Sequence, residues 1–353
     1  MPAPLRALVV GLGSIGRRHA RNWAALGLGP VAICRQAGLA QPEPLGIDAR
    51  EFTDLDQALA DRPDVVLVTN PTSLHVATAC QAVKAGAHVF VEKPIGHTLD
   101  GVAELLAEAD RRQKTLMVGY NLRFHAGLAR FRELLHKGSV GQPVSARAEA
   151  GEYLPDWHPW EDYRASYSGR AALGGGALLT SSHELDSLCW VLGAPARIAA
   201  MAAHASSLEI DTEDVGELVL QFPNRPLASV HVDYLRRPPR RSLEIVGEDG
   251  VLRWEYNENR ILRYAPATRQ WQVEEGDRRV QRNDMYLAEL RHFAACVRGE
   301  IERPLIDGEQ GAAVLGITLA ALKSSMTGRA IDLLAEGEPL TTWLSSLGQP
   351  PRG

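Results

Sequence analysis

The chain is poor in cysteine, and this limits its possible chemistry. Its 353 residues include four cysteines, which stand far apart at Cys34, Cys80, Cys189 and Cys296. Zinc ribbons and thioredoxin-like sites need closely spaced cysteine pairs, so the sequence argues against both classes, and no metal is expected. Scattered thiols in a chain of this length are typical of a reducing compartment. We therefore expect a cytoplasmic protein.

Long apolar runs and an excess of positive charge are also missing. No stretch reaches the roughly 18 apolar residues that a membrane span requires. The opening MPAPLRALVVGLG contains a short apolar run that ends in glycines, which is typical of a strand rather than a signal peptide. The net charge is -5, and prolines interrupt the short basic run at 236–241. We therefore expect neither a membrane nor a nucleic acid as partner.

The first 120 residues alternate between strand and helix patterns. Short apolar runs without polar alternation occur at 5–10, 31–34, 64–69, 88–92 and 115–119, with helical spacing between them. Strands of this kind are buried on both faces, as in a parallel sheet covered by helices. Residues 1–120 are therefore predicted to form a doubly wound α/β domain.

After residue 120 the pattern changes. Helices are predicted over 125–137, 176–192, 284–299 and 307–326, before a Gly/Pro-rich tail. Between them, strands with short links are predicted at 145–150, 215–221, 227–234, 242–246 and 251–254. Successive strands with short links favour an antiparallel sheet. Residues 121–353 are therefore predicted to form a second α/β domain with a large, mostly antiparallel open sheet.

The strongest local motif is the glycine loop Gly11-Leu-Gly13-Ser14-Ile15-Gly16, between a predicted strand and helix. Gly11 permits a tight turn, Gly13 lets a pyrophosphate approach the backbone, and Gly16 allows close helix–strand packing. The phosphates would contact N–H groups at the start of the helix, at Ser14 and Ile15. The loop predicts a Rossmann domain that binds a dinucleotide.

The end of the second strand bears on the choice of dinucleotide. NAD enzymes usually place an acidic residue there to bind the ribose 2′-hydroxyl. This sequence has Arg35 and Gln36 instead. Because an arginine suits a 2′-phosphate, we favour NADP, although a solvent-facing Arg35 is compatible with NAD as well.

Two further predicted strands end at the same edge of the sheet. The first is followed by Asn70, Pro71 and His75, where a bound cofactor would lie. The second ends in Glu92 and Lys93. The amine of Lys93 could bond the nicotinamide ribose and a substrate hydroxyl, and could carry a proton if its pKa is lowered.

The ordered motifs GLGSIG, TNPTSLH, AGAHVFVEKPIG, GYNLRFH and GGGALLTSSHELD resemble those of the Gfo/Idh/MocA oxidoreductases, the glucose–fructose oxidoreductase and inositol dehydrogenase family. The resemblance runs from residue 5 to about residue 330. It implies a nicotinamide cofactor in the first domain, a substrate between the domains, and a C-terminal sheet that packs on another subunit in a homodimer or homotetramer. It also implies that Lys93 is the catalytic lysine and that Asn121 and Arg123 contact cofactor or substrate.

The last motif places His183 and Asp186 three residues apart on a predicted helix, after glycines 174–176. Such spacing puts both on one face, and a histidine with a neighbouring acid is a natural base for an alcohol proton. A buried histidine on a helix capped by Thr180 or Ser181 is the structural alternative. The family resemblance favours a catalytic His183.

The sequence departs from the family at Thr180, where many members have an aspartate. A hydroxyl cannot pass a proton to solvent as a carboxylate can. Glu184 or Asp186 could take over this step, or His183 and Lys93 could carry the proton chemistry between them.

An irregular segment, residues 152–164, is rich in aromatic residues, with Trp157 near its centre. Aromatic rings stack on sugars, but they are also frequent in packed loops and subunit contacts. Both interpretations stay open.

Together these observations predict an NAD(P)-dependent oxidoreductase that transfers a hydride between the nicotinamide and a carbinol carbon of a sugar, polyol or nucleotide-sugar-like substrate. The expected substrate contacts are Lys93, Arg123, Trp157, Thr180 and His183. One alternative is a redox-assisted lyase or glycosidase without net cofactor turnover. Another, favoured by Thr180, is a dinucleotide-binding sensor that has lost catalysis.

Overall fold

The computed structural model of the chain describes residues 3–36, 44–223, 226–277 and 279–333. Two compact units are present. The first unit comprises Met1–Asn121 and Gln281–Ala312, and the second unit comprises Leu122–Val280 and Ala313–Gly353. The predicted Gly/Pro-rich tail lies outside the described residues.

The first unit is built on a parallel six-stranded sheet with strand order β3-β2-β1-β4-β5-β6. In chain order its strands are β1 (Ala7–Val10), β2 (Val31–Cys34), β3 (Ala49–Phe52), β4 (Val65–Val68), β5 (His88–Glu92) and β6 (Leu116–Gly119). Every residue of β1 and β4 is buried, because a parallel sheet with helices on both faces leaves neither face in water. The central strand β1 pairs with β2 on one side and β4 on the other.

Side-chain caps mark the start of two helices of the first unit. The helices of this unit are α1 (Ser14–Ala25), α2 (Leu55–Ala60), α3 (His75–Lys84), α4 (Val102–Arg111) and, from the later segment, α9 (Arg282–Val297). The side chain of Asp54 caps α2 by accepting from the Gln57 N–H, and Gln281 and Asp284 form a capping box at α9. Helix α9 packs against α1.

The second unit is built on a nine-stranded sheet with order β14-β13-β12-β11-β7-β10-β9-β8-β15. The strands are β7 (Pro143–Gly151), β8 (Arg197–Ala203), β9 (Val215–Gln221), β10 (Leu227–Asp233), β11 (Arg240–Gly247), β12 (Gly250–Glu255), β13 (Arg260–Ala265), β14 (Gln270–Glu275) and β15 (Ile331–Asp332). Only the β7–β10 pair is parallel among these described strands. Buried and exposed residues alternate along β9, so one face of the sheet carries the core.

Among the described residues, four α-helices belong to the second unit: α5 (Ala126–His136), α6 (Leu154–Trp157), α7 (Ala177–Thr180) and α8 (His183–Leu192). Helix α10 (Gly308–Thr327) begins in the first unit and continues in the second. Helix α5 packs on β12, and α8 packs on β7.

The predicted fold class is confirmed, and the differences are local. The predicted helix over 176–192 is two helices, α7 and α8, which Ser181 and Ser182 separate. Strands β3, β8, β13, β14 and β15 were not predicted. The segment Gln281–Ala312 belongs to the first unit, whereas the sequence places it after the single boundary at residue 120.

Candidate active site

The glycine loop has the geometry of a phosphate-binding turn. Gly11 has a φ of 95°, and a Cβ there would lie 2.6 Å from the Cα of Asn70. A Cβ on Gly16 would lie 2.1 Å from the carbonyl oxygen of Gly11. Around Gly13, in contrast, a Cβ would meet no atom within 4 Å. Two of the glycines therefore allow tight packing, and the third leaves the backbone open to a ligand.

Helix α1 begins directly at this turn. Gly13 is its N-cap and supplies no side chain, and its first turn contains no acidic residue. The first N–H groups of a helix lack partners within the helix, and the helix dipole favours negative charge there. The turn at Gly13, Ser14 and Ile15 therefore fits the pyrophosphate of a dinucleotide.

Three site candidates share one edge of the parallel sheet. Gly11 follows β1, Asn70 follows β4 by two residues, and Lys93 follows β5 directly. These three strands are neighbours in the sheet, and parallel strands end at the same edge. The structure therefore brings together, within the first unit, the predicted cofactor turn and the half-buried Lys93.

His75 connects the two loops at this edge. Its Nδ1 lies 2.8 Å from the carbonyl oxygen of Pro94, and its Nε2 lies 2.8 Å from the carbonyl oxygen of Asn70. Burial lowers the pKa of the imidazole. Because both ring nitrogens contact backbone oxygens, His75 fixes the loops rather than offering a ring nitrogen to a cofactor. The Asn70 amide remains suited to a ligand, since its Oδ1 is buried without a hydrogen-bond partner.

Glu92 lies 8% exposed in the interior of the first unit. Its Oε1 is 2.7 Å from Nε2 of His19, a fully buried residue of α1. Its Oε2 accepts from the backbone N–H of Lys93 at 3.2 Å. The predicted contact of the Glu92 side chain with the cofactor therefore has no support in this geometry.

Arg35 stands at the end of β2, as predicted, and has an acidic neighbour that the sequence reading missed. Its Nε donates to Oε2 of Glu51 on β3 at 3.2 Å. The Arg35 side chain is 25% exposed and that of Glu51 is 48% exposed. The parallel pairing of β2 and β3, which brings these residues together, was not predicted because β3 was not.

In the second unit, Arg123 and Asp186 form a buried ion pair. Nη2 of Arg123 lies 2.7 Å from Oδ1 of Asp186, and their side chains are 5% and 0% exposed. Asp186 was predicted as the acid that assists His183, but its carboxylate binds an arginine. Arg123 was predicted to contact a ligand, and its Nε and Nη2 bind Asp186.

Asn121, the last residue of the first unit's opening segment, is 6% exposed.

His183 begins helix α8 and is 8% exposed. The next residue, Glu184, is 3% exposed in its side chain and binds Nε of Arg241 on β11 at 2.7 Å. Both acids considered as substitutes for the family aspartate thus form ion pairs that hold α8 in the second unit. The third possibility, in which His183 and Lys93 carry the proton chemistry between them, stays a prediction.

Thr180, the last residue of α7, lies against a buried tyrosine. Burial raises the pKa of Tyr234 well above its usual value, and the Thr180 side chain beside the phenol acts in the opposite direction. The ring of Trp157 packs edge-on against Tyr234 at a centroid distance of 5.3 Å. Nε1 of Trp157 is buried without a hydrogen-bond partner. Trp157 and Thr180 are therefore neighbours of the same phenol, which the sequence alone could not show.

The glycine segment 174–176 lies against an acidic residue, Glu213, that the sequence analysis did not identify. A Cβ on Gly176 would lie 2.4 Å from Oε1 of Glu213. The same oxygen accepts from the Leu178 N–H at 3.0 Å, and burial raises the pKa of Glu213. Glu213 lies in a loop before β9, without any motif that would mark it.

Within the described residues, none of the helices combines the length and apolar character needed to cross a bilayer.

Known proteins resemble the chain along most of its length. It is 26% identical over 325 residues to the 1,5-anhydro-D-fructose reductase of Ensifer adhaerens, which covers 90% of this chain and 94% of the relative. It is 28% identical over 356 residues to the myo-inositol 2-dehydrogenase of Thermotoga maritima, covering 93% and 98%.

Solved structures also resemble the chain along most of its length. The WlbA dehydrogenase from Bordetella pertussis, in complex with NADH and UDP-GlcNAcA, matches with a TM-score of 0.80 at 25% identity, covering 94% of this chain and 100% of that chain. A levoglucosan dehydrogenase with NADH and L-sorbose shares the fold, with a TM-score of 0.82 at 18% identity, covering 93% and 98%.

Family models cover both parts of the chain. Residues 5–120 match the oxidoreductase family with an NAD-binding Rossmann fold, and residues 128–253 match the GFO/IDH/MocA C-terminal domain. The predicted resemblance is confirmed. The chain belongs to the Gfo/Idh/MocA family of oxidoreductases.

Proposed function

We propose that this protein transfers a hydride between a nicotinamide cofactor and a carbinol carbon of a sugar, polyol or nucleotide-sugar-like substrate. The observation that carries the proposal is the shared edge of the parallel sheet, where the open turn at Gly13 follows β1 and the amine-bearing Lys93 follows β5, with β4 between these two strands. The named relatives, which act on an anhydrosugar and on an inositol, support this substrate class.

The protein's own residues would handle the proton of the reaction. When bound, the cofactor supplies the hydride chemistry at C4 of its nicotinamide ring. In the oxidative direction, Lys93 orients the substrate hydroxyl by a hydrogen bond. His183 accepts the hydroxyl proton as the carbon loses its hydride, so that the alcohol becomes a carbonyl, and the imidazolium then releases the proton. In the reductive direction the same groups return it.

Variants at the two proton-handling residues test this mechanism. Lys93→Ala and His183→Ala should each lower turnover at least about a hundredfold. The assay follows NAD(P)H absorbance with myo-inositol, 1,5-anhydro-D-fructose, levoglucosan and UDP-N-acetylglucosamine as probes. Near-normal turnover in both variants would rule out this site. Product formation without net change in NAD(P)H would favour the redox-assisted lyase or glycosidase, and cofactor binding without turnover of any probe would favour the sensor.

We propose NADP as the preferred cofactor, with Arg35 as the group that binds the 2′-phosphate. The pair of Arg35 with Glu51 is partly exposed, and such pairs contribute little free energy. A phosphate can therefore displace Glu51 from the guanidinium at small cost. A 2′-hydroxyl could instead donate to Glu51, so NAD should also bind.

We also propose that the second unit serves substrate binding and assembly, and that the cofactor unit includes Gln281–Ala312 besides residues 1–120. The outer face of the nine-stranded sheet exposes Val219 by 52% and Leu227 by 54%. These apolar residues line a groove of about 410 Å³ together with Arg147 and Glu244. Apolar and oppositely charged groups on one face suit a self-complementary contact, and we propose a homodimer or homotetramer through this face.

Light scattering tests the assembly. Leu227→Glu should reduce the particle mass toward that of one 38.4 kDa chain, whereas Ile301→Glu, at an exposed position of the first unit, should not. A wild-type protein that is already monomeric would contradict the proposal.

The cytoplasm remains the proposed location, on the basis of four cysteines that form no disulfide.

A further inference from the structure

A buried pair of polar residues connects the two halves of the proposed cofactor edge. His19 lies on α1, the helix that starts at the glycine turn, and Glu92 ends β5, immediately before Lys93. Nε2 of His19 and Oε1 of Glu92 are 2.7 Å apart, and their side chains are 0% and 10% exposed. The other oxygen of Glu92 accepts from the Lys93 N–H. A continuous set of hydrogen bonds therefore runs from α1 to the backbone of Lys93.

Aromatic rings hold the imidazole of this pair in place. The ring of His19 packs edge-on against Phe90 on β5 at 5.1 Å and against Tyr286 on α9 at 5.9 Å. Phe90 in turn contacts Phe293 on α9 at 5.8 Å. With neighbours on both sides, the ring has little freedom to leave the Glu92 carboxylate.

A second buried carboxyl group lies near the pair of His19 and Glu92. We call the buried region around this pair the compartment. Glu289 lies on α9 between Tyr286 and Phe293, at helical spacings of three and four residues, which places the three side chains on one face. Glu289 is 0% exposed, and neither of its oxygens has a hydrogen-bond partner. Burial, followed by the charge of Glu92, raises its pKa well above the usual value. A raised pKa favours the neutral, protonated form of Glu289.

We propose that His19 is a positioning residue for Lys93: its ring holds the Glu92 side chain in place, and Glu92 in turn holds the backbone of Lys93 and keeps its carboxyl group next to that residue. This inference rests on the proposed role of Lys93. The other charged or titratable groups around the compartment are His75, which the charge of Glu92 affects, and Glu289, with Tyr286, Arg18 and Arg282 at its border.

The proposal predicts a specific change in the chemistry of the Lys93 amine. A nearby carboxylate favours the ammonium form of a lysine. Removing the charge by Glu92→Gln should therefore make the amine nucleophilic at lower pH. His19→Phe should have the same effect, because the Glu92 side chain loses the contact that holds its carboxyl group next to Lys93.

Labelling with acetic anhydride as a function of pH measures this directly. The extent of acetylation at Lys93, read by peptide mass spectrometry, gives a pH midpoint that requires no substrate. The midpoint should fall by about half a pH unit or more in Glu92→Gln and in His19→Phe. The double variant should show no further shift, since both changes act through the same carboxyl group. His19→Gln, whose amide can replace the Nε2 donor, should restore most of the wild-type midpoint.

A matched control separates positioning from stability. His292 lies on α9 in the same unit and accepts from the Leu305 N–H at 2.8 Å. His292→Phe should lower the melting temperature without moving the Lys93 midpoint. An unchanged midpoint in folded Glu92→Gln overturns the proposal, as does a midpoint in His19→Gln as low as that of Glu92→Gln. If His19→Phe does not fold, these two variants decide the question.

The outcome is distinguishable from failure of the proposed function. Full turnover by Lys93→Ala would refute the catalytic role of Lys93 while leaving the labelling shifts intact. Loss of turnover in Lys93→Ala with unshifted labelling midpoints would refute only the role of His19.

Discussion

Arg123 and Asp186 form a two-point ion pair inside the second unit: Nε of the arginine lies 3.1 Å from each carboxylate oxygen, and Nη2 lies 2.7 Å from Oδ1. Asp186 is on the first turn of α8, three residues after His183. The pair therefore fixes the start of the helix that carries the proposed base. Glu184 adds a second anchor through Arg241.

Breaking this pair should destabilise the protein strongly. Asp186→Asn keeps the side-chain volume but leaves the guanidinium buried without a counter-charge, so the free energy of unfolding should fall by about 3 kcal/mol or more. Chemical denaturation followed by circular dichroism measures the loss. As a control, Arg130→Met removes the exposed pairs with Glu133 and Glu274 and should change stability by less than about 1 kcal/mol. Equal effects of the two variants would contradict the prediction.

His125 should make the protein sensitive to acid. Its Nδ1 accepts from the N–H groups of Gly127 and Leu128 at the start of α5. Burial, and then the charge of Arg241, lowers the pKa of His125 from 6.5 to about 4. The unfolded chain therefore binds a proton first, and stability that is present above pH 6.5 is lost as the pH falls toward 4.

His125→Asn tests this origin of acid sensitivity, because asparagine caps a helix without titrating. Between about pH 7 and pH 5, the variant should lose about 2 kcal/mol less unfolding free energy than the wild type. Denaturant titrations at both pH values measure the difference. His136→Asn, at an exposed position of the same helix, should follow the wild type. A parallel loss in His125→Asn would show that other groups cause the sensitivity.

Glu289 should have the opposite pH dependence. Because its folded-state pKa is raised well above 4.5, the native state holds the proton more tightly than the unfolded chain. Stability is full below pH 4.5 and falls as the pH rises toward the folded-state pKa. Glu289→Gln, which has the shape of the neutral acid, should lose less unfolding free energy than the wild type as the pH rises above 4.5.

Melting temperatures at several pH values measure this effect. Glu104→Gln is a suitable control because that carboxyl group is exposed and pairs only across the surface with Lys84. Identical alkaline slopes in wild type and Glu289→Gln would mean that Glu289 does not titrate in this range.

Arg35 and Glu51 should act in opposite directions on cofactor choice. Arg35→Ala should weaken NADP binding about tenfold or more, with a smaller effect on NAD, since a charge-assisted hydrogen bond to phosphate is lost. Glu51→Gln should tighten NADP binding, because the competing carboxylate is removed. Titration calorimetry with both cofactors measures the ratios. Arg50→Ala, which breaks a surface pair with Asp61, should leave them unchanged. Equal losses for NADP and NAD in Arg35→Ala would exclude a phosphate contact.

Local sequence patterns were sufficient to predict much of the secondary structure of the first unit. The strand predicted at 88–92 is β5 residue for residue, because a β-branched run bounded by glycine and proline leaves little choice. The glycine loop was placed correctly between β1 and α1, since the spacing of its glycines depends only on the local backbone geometry of the turn. Strand β3, in contrast, has an intermediate and exposed burial pattern. Only its pairing with β2 makes it a strand.

The roles of charged side chains were harder to predict. Glu92, Asp186 and Arg123 were interpreted as ligand contacts or proton carriers because they stand beside the motif residues. In the structure each binds a partner at least 63 positions away. No local spacing encodes such a partner.

By itself the sequence determined most strands and helices of the first unit, the phosphate-binding turn, and the family motifs that make Lys93 and His183 the proton-handling candidates, because each of these depends on neighbours within a few residues. Only the tertiary structure decided that Asp186 and Glu184 are bound to arginine and Glu92 to histidine. It also decided that Glu289, far along the chain, is buried next to the strand that ends before Lys93. Burial and charge pairing are properties of neighbours in space, and these arise only when distant segments pack together.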